Sequence, residues 1–281
     1  MLPFFTSTYG NPASRDHPQG WIANEAIRSA RCDVAQLIGA NPDEVTFTSG
    51  ATESINLLLR GLPPSQPGLP ILTLNSEHAA VVETCRALER SGTPVKWIGV
   101  DSGGRIDLEA WEKALQAGAQ LAVVLWVNNE TGVMQDMEAI GQLCHQYEVP
   151  LFTDATQAAG KLNIDLDPYI DYACFSAHKI HGPKGIGALY IRQGKRSPLP
   201  LLTGGGILAE DLIMAVNHRL AISTGSACNS VRVLPSHVLL AMGRSETEAF
   251  SSLRFSLGRH TTEEEIETAL QTMTEAVRNL A

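Results

Sequence analysis

Ile170-Asp-Tyr-Ala-Cys-Phe-Ser-Ala-His-Lys-Ile-His-Gly-Pro-Lys-Gly185 is the stretch from which the fold can be read. The run 170–175 has the length and apolar character of a buried strand. Gly182-Pro183 marks a turn, and Ile186-Gly-Ala-Leu-Tyr-Ile191 reads as a second strand. Lys179 therefore falls on a loop between two strands, beside Ser176, His178 and His181. Apolar walls around such a lysine disfavour its charged form, lower its pKa and make its amine a better nucleophile. Most loop lysines are simply solvated, so the neighbouring segments must decide between the two readings.

Upstream, the same pattern recurs. Pro150-Leu-Phe-Thr153 is a strand ending at Asp154-Ala-Thr-Gln157. Leu121-Ala-Val-Val-Leu-Trp-Val127 is a continuous apolar run, hence a buried parallel strand, and it ends in Asn128-Asn129-Glu130-Thr131-Gly132. Residues 140–147 between them read as a helix. Ile71-Leu-Thr-Leu74 is followed by Glu77-His78, a helix over 79–91 and a strand over 95–100. Four strands thus end in polar residues: His78, Asn129, Asp154 with Gln157, and Ser176 to Lys179. Alternating strands and helices predict a mostly parallel sheet, on which these ends share one rim. Open α/β sheets bind ligands there.

Val45-Thr-Phe-Thr48 is another strand, followed by Ser49-Gly-Ala-Thr-Glu-Ser54 and a helical run to Arg60. A strand, a small-residue turn and a helix start make an anion site, because free N–H groups and the helix dipole point at the turn. Ser49 or Thr52 can equally serve as a plain N-cap. Residues 3–20 are rich in turn formers and read as irregular, 21–38 has helical apolar spacing closed by Gly39, and the proline-rich 61–70 reads as a loop. The C-terminal part reads as a helix over 209–216, a strand over 220–223, the loop Ser223-Thr-Gly-Ser-Ala-Cys-Asn-Ser230, a helix near 234–242, a strand over 252–257 and a helix from Thr262.

The chain has 281 residues, 44% apolar and 18% charged, the composition of a folded domain or two. The net charge of −9 and the lack of a basic stripe argue against a nucleic-acid partner. No apolar run is long enough to span a bilayer, and Met-Leu-Pro-Phe-Phe at the start lacks the pattern of a signal peptide. The cysteines at 32, 85, 144, 174 and 228 are scattered, which predicts a reducing, cytoplasmic setting without disulfides or a metal site.

Asp154 and Lys179 lie on consecutive strands. An acid placed under a ring nitrogen and a lysine that captures an aldehyde are the two groups that pyridoxal phosphate needs. The 49–54 turn adds a phosphate site and His78 a flat partner.

These segments, with Ser226-Ala-Cys228 and Arg254-Phe-Ser-Leu-Gly-Arg259, resemble the cysteine desulfurases of the NifS/IscS type. The resemblance covers nearly all of the chain. It implies the class V aminotransferase fold, that is, a pyridoxal-phosphate-dependent transferase of fold type I. The architecture expected is α/β, with a mostly parallel seven-stranded sheet flanked by helices over 1–206 and a shortened α+β small domain over 207–281. It further implies pyridoxal 5'-phosphate as cofactor, L-cysteine as substrate and L-alanine as product. The sulfur would be carried as a persulfide and passed to a scaffold or sulfur-carrier protein, and the enzyme would be a homodimer.

Carried over by position, Lys179 would take the cofactor's aldehyde and Asp154 its ring nitrogen. Gln157 and Asn129 would contact its phenolic oxygen, Asn129 also facing the substrate. His78 would stack on the ring. Ala51, Thr52, Ser176 and His178 would hold the phosphate. Cys228 would be the nucleophile, and Arg254 would pair with the substrate carboxylate, for which its bidentate fork is suited. Cys228 also has a case of its own, since it sits in a small, polar loop rather than in the apolar surroundings of a structural cysteine such as Cys174.

Two blocks usual in the resembled family have no counterpart here. One is an N-terminal Asp-x-x-Ala/Thr-Thr-x-Pro turn. The other is a segment after Gly204-Gly-Gly206 that includes an Arg-Ser-Gly-Thr run. His181 replaces a common tyrosine. Other readings compatible with the sequence are a catalytically impaired, desulfurase-like interaction partner and another class V enzyme such as a selenocysteine lyase.

Overall fold

The computed structural model describes residues 1–14, 17–64, 68–164, 166, 168–201, 223–224, 245–247, 253–254 and 261–280. The chain divides into two compact units, Arg31–Leu201 and Met1–Ala30 with Leu202–Ala281. The expected boundary at 206 lies outside the described residues.

The unit Arg31–Leu201 is built on a seven-stranded sheet. Its strands are β1 (Val45–Thr48), β2 (Ile71–Leu74), β3 (Val95–Ile98), β4 (Leu121–Leu125), β5 (Leu151–Asp154), β6 (Tyr172–Ser176) and β7 (Gly187–Ile191). They stand in the order β1-β7-β6-β5-β4-β2-β3. Only β7 runs against its neighbours in this sheet, pairing antiparallel with β1 and β6. The mostly parallel sheet expected from the alternation of strands and helices is therefore present.

The central strands β4 and β6 are buried at every position, as parallel strands covered on both faces must be. Along them the side chains alternate between two apolar clusters. Leu121, Val123, Phe152, Tyr172 and Cys174 pack with Ile55 and Leu58 of α3 (Ala51–Gly61) and Val81 and Cys85 of α4 (Ala79–Arg90). Ala122, Val124, Leu151, Ala173 and Phe175 pack on the other face with Trp111 of α5 (Leu108–Gln116) and Ile140 of α6 (Met137–Gln146). The result is three layers, helices over both faces of the sheet.

Local chemistry starts the helices. Asp107 accepts the N–H groups of Glu109 and Ala110 at the start of α5, and Asp136 accepts that of Ala139 in α6. Helix α5 is an element that the sequence reading passed over. The strand read over 121–127 ends earlier, at Leu125, where the chain turns to form a bridge between Val127 and Met134.

In the other unit, α1 (Leu2–Thr6) is a short helix where irregular chain was expected. Helix α2 (Pro18–Leu37) runs from this unit into the first. Strands β8 (Ser223–Thr224) and β9 (Leu253–Arg254) pair antiparallel, with Ser223 opposite Arg254. Helix α7 (Glu263–Leu280) opens on a capping box: Thr262 Oγ1 accepts the Glu265 N–H, and the Glu265 carboxylate accepts that of Thr262.

Candidate active site at the carboxyl rim

Strand order reverses between β2 and β4. From β2 the chain steps outward to β3, then returns to β4 on the other side. A crevice forms outside the carboxyl ends of strands at such a point. His78 follows β2 and Asn128-Asn129 follow β4. Asp154 closes β5, and Ser176 closes β6 ahead of a 3-10 turn over Ala177–Lys179. These four adjacent parallel strands bring the predicted residues to one rim.

Each is held differently. Asp154 is 3% exposed. One of its oxygens accepts the Thr156 N–H at 3.0 Å. Its register partner on β6 is Cys174, whose thiol is fully buried and pushed well up in pKa by that burial and by the Asp154 charge. His78 is the N-cap of α4, where its Nδ1 accepts the Ala80 N–H at 3.1 Å. The residue is exposed. Asn129 is exposed, while Gln157 is half-buried and accepts from Lys161.

Lys179 and His178 are exposed on the 3-10 turn. Of the two readings open for Lys179, the described residues thus show the exposed one. A Cβ at Gly182 would lie 2.8 Å from that of Ala177, so the chain after the turn folds closely back on its start.

The anion site is assembled from two distant segments. Gly50, at φ +154°, is the N-cap of α3 and makes no side-chain cap, so neither Ser49 nor Thr52 is the plain cap considered above. The Ala51 N–H donates instead to Ser176 Oγ at 2.9 Å. A Cβ at Gly187 would lie 2.5 Å from Gly50 Cα and 2.5 Å from the Phe175 carbonyl oxygen, so only glycine allows this approach. Thr52 is exposed on the first turn, where helix N–H groups lack intrahelical partners.

One residue escaped the sequence reading. Glu77 Oε1 accepts the Leu125 N–H at 2.8 Å. Burial drives its pKa well up and the nearby Asp154 charge adds to this, although the Leu125 bond opposes the shift. The hint was its place beside His78 just past the end of β2.

Residues 1–217 match the family model for aminotransferase class-V. The chain belongs to the aminotransferase class-V family. Members of this family use pyridoxal phosphate. A cysteine desulfurase IscS of Neisseria meningitidis is 38% identical over 348 aligned positions, covering 96% of this chain and 86% of that protein. That span exceeds the 281 residues of the chain, so the match bridges residues that the relative has and this chain lacks. Among solved structures, a NifS-like protein superposes with a TM-score of 0.69 at 30% identity, covering 99% of this chain and 94% of that one. A structure of SspA in complex with cysteine gives 0.67 at 31% identity, covering 92% and 94%.

Two predicted residues belong to the other unit. Cys228 lies outside the described residues. Arg254 lies in β9, opposite Ser223 at the entrance to the cysteine loop. Among the described residues, no group of three or more His, Cys, Asp or Glu side chains is placed to hold a metal ion. Nor is any helix long and apolar enough to cross a membrane.

Proposed function

We propose that the protein is a pyridoxal-phosphate-dependent cysteine desulfurase that converts L-cysteine to L-alanine and supplies the sulfur for iron–sulfur cluster or thio-cofactor assembly. The observation that carries this reading is the rim itself. A buried carboxylate, an exposed histidine and a lysine lie at or just beyond the carboxyl ends of β5, β2 and β6, and Ser176 at the end of β6 is bonded to the first turn of α3. That set suits a flat, phosphorylated pyridine aldehyde. The fit rests on the start of α3, where Ser176 adds a hydroxyl beside the Ala51 N–H, and on the burial of Asp154 where a ring nitrogen needs a fixed negative partner.

When bound, the cofactor supplies an electron sink for the substrate carbon. The protein's own residues do the holding and positioning. Ala51, Thr52, Ser176 and His178 would bind the phosphate, with the dipole of α3 behind them. Asp154 would hold the proton of the ring nitrogen by charge, His78 would lie against the ring face, and Asn129 and Gln157 would donate to its phenolic oxygen. Lys179 Nζ would bind the aldehyde carbon. Arg254 would orient the substrate carboxylate. The Cys228 thiolate would attack the substrate sulfur, so that a sulfur–sulfur bond forms as the carbon–sulfur bond of cysteine breaks. On this reading residues 1–206 carry the cofactor and 207–281 the cysteine loop. The enzyme works as a cytoplasmic homodimer and hands its sulfur to an acceptor protein.

A second reading, a desulfurase-like partner without catalysis, is favoured by the bridged gap in the match to the relatives. One experiment separates the two. Purified protein is titrated with pyridoxal phosphate, its visible absorbance is recorded, and L-cysteine is added. The enzyme reading expects a band that Lys179→Ala abolishes, and sulfide release that Cys228→Ser abolishes while keeping the band. A band without sulfide favours the non-catalytic partner. No band removes the enzyme reading.

A further inference from the structure

Strands β2 and β4 are paired at Ile71–Leu121, Leu72–Ala122 and Thr73–Val123. Beyond that point β2 parts from β4, and the Asn75 N–H turns to the Ile98 carbonyl on the far side. The Leu125 N–H, two residues along β4, is bonded instead to Glu77 Oε1 at 2.8 Å. A second side chain ties the same turn from the opposite direction, since Asn128 Nδ2 donates to the Ser76 carbonyl at 3.0 Å. Two bonds from the end of β4 thus clamp the residues that immediately precede His78.

Glu77 makes this bond in an unusual setting for an acid. It is 8% exposed, and its Oε2 is buried with no hydrogen-bond partner among the described residues. The titratable groups that feel its charge are Asp154 on β5, Cys174 on β6 and Cys85 on α4. None of these is a cation. A buried carboxylate with one donor and a second carboxylate in range is costly, and the proton is the least expensive remedy.

We propose that Glu77 is a positioning residue held as a neutral carboxylic acid, which bridges the parting of β2 and β4 and seats His78 without setting a second negative charge beside Asp154. This rests on the cofactor site proposed above for the meaning of the His78 seat, but not for the clamp or the proton. The neutral acid keeps an accepting oxygen for Leu125 and leaves the field under the ring to Asp154 alone.

The test compares the full-length wild type with Glu77→Gln and Glu77→Leu. The infrared spectrum of the cofactor-free protein is read for the carbonyl stretch of a protonated carboxyl group. Wild type is expected to show that band and Glu77→Gln to lack it. Glu77→Gln, which keeps a neutral acceptor, is expected to bind pyridoxal phosphate within about threefold of wild type. Glu77→Leu is expected to bind it about tenfold more weakly, the scale of one lost hydrogen bond, and to unfold at lower urea. No difference band, or Glu77→Gln as impaired as Glu77→Leu, overturns the proposal even where Glu77→Leu fails to fold. A wild type that shows the band and the expected urea order but does not bind pyridoxal phosphate overturns the cofactor site and the seating role, while the clamp and its proton stand.

Discussion

The hydroxyl of Ser176 accepts the backbone N–H of Ala51 at 2.9 Å, across a sequence separation of 125 residues. Through this bond the end of β6, which leads into Lys179, is tied to the first turn of α3. Ser176→Ala leaves a buried N–H without a partner, which costs about 1–3 kcal/mol. The expected result is a lower urea midpoint and pyridoxal phosphate affinity reduced by about tenfold, measured by denaturation and by absorbance titration.

Gly187 supports the same junction from behind. Its Cβ would lie 2.5 Å from Gly50 Cα, so Gly187→Ala must push β7 and the α3 turn apart at about 1–3 kcal/mol. Gly99 has open space around it. Gly99→Ala is the control, expected within about 0.5 kcal/mol of wild type. Equal urea midpoints for the two variants would remove the close-approach argument.

Thiol reactivity separates structural cysteines from others. Burial pushes Cys85 and Cys144 up to about 12 and raises Cys174 well above the ordinary thiol value too. At about pH 8, where an ordinary thiol is partly ionised, all three stay protonated as well as enclosed. Alkylation of the native protein, read peptide by peptide in a mass spectrometer, is expected to label the exposed Cys32 and to spare these three. Rapid labelling of Cys174 would contradict its place under the sheet face.

Glu77 carries a pH signature. Its pKa in the fold lies well above the ordinary value of 4.5, so above that value the native state holds a proton that the unfolded chain has lost. The stability linked to this group is therefore complete below the ordinary value and is lost as pH rises toward the folded pKa. The slope is at most about 1.4 kcal/mol per pH unit. Urea titrations between about pH 5 and pH 7 should show wild type losing stability relative to Glu77→Gln as pH rises. Parallel curves would mean that the group is ionised in the fold.

Much of this was legible along the chain. Strands β1 and β2 fall where the apolar runs end, and the polar residues that follow β2, β4, β5 and β6 do share a rim. Helix α5 was passed over although Asp107 caps it and Leu108, Trp111 and Leu115 have helical spacing, because a Gly-Gly turn and charged residues precede it. Helix α1 escaped because five exposed residues bury nothing that a pattern could register.

The sequence by itself determined the fold class, the order of the strands along the chain and the residue types at each strand end, because burial on both faces and helical periodicity are written in neighbouring residues. Only the tertiary structure decided which of those residues are buried or open. It left Lys179 exposed, set Gly50 against Gly187, and gave the Leu125 N–H to Glu77 at a separation of 48 residues. Such pairings depend on which strands become neighbours in the sheet, β1 with β7 and β2 with β4, and no local pattern carries that information.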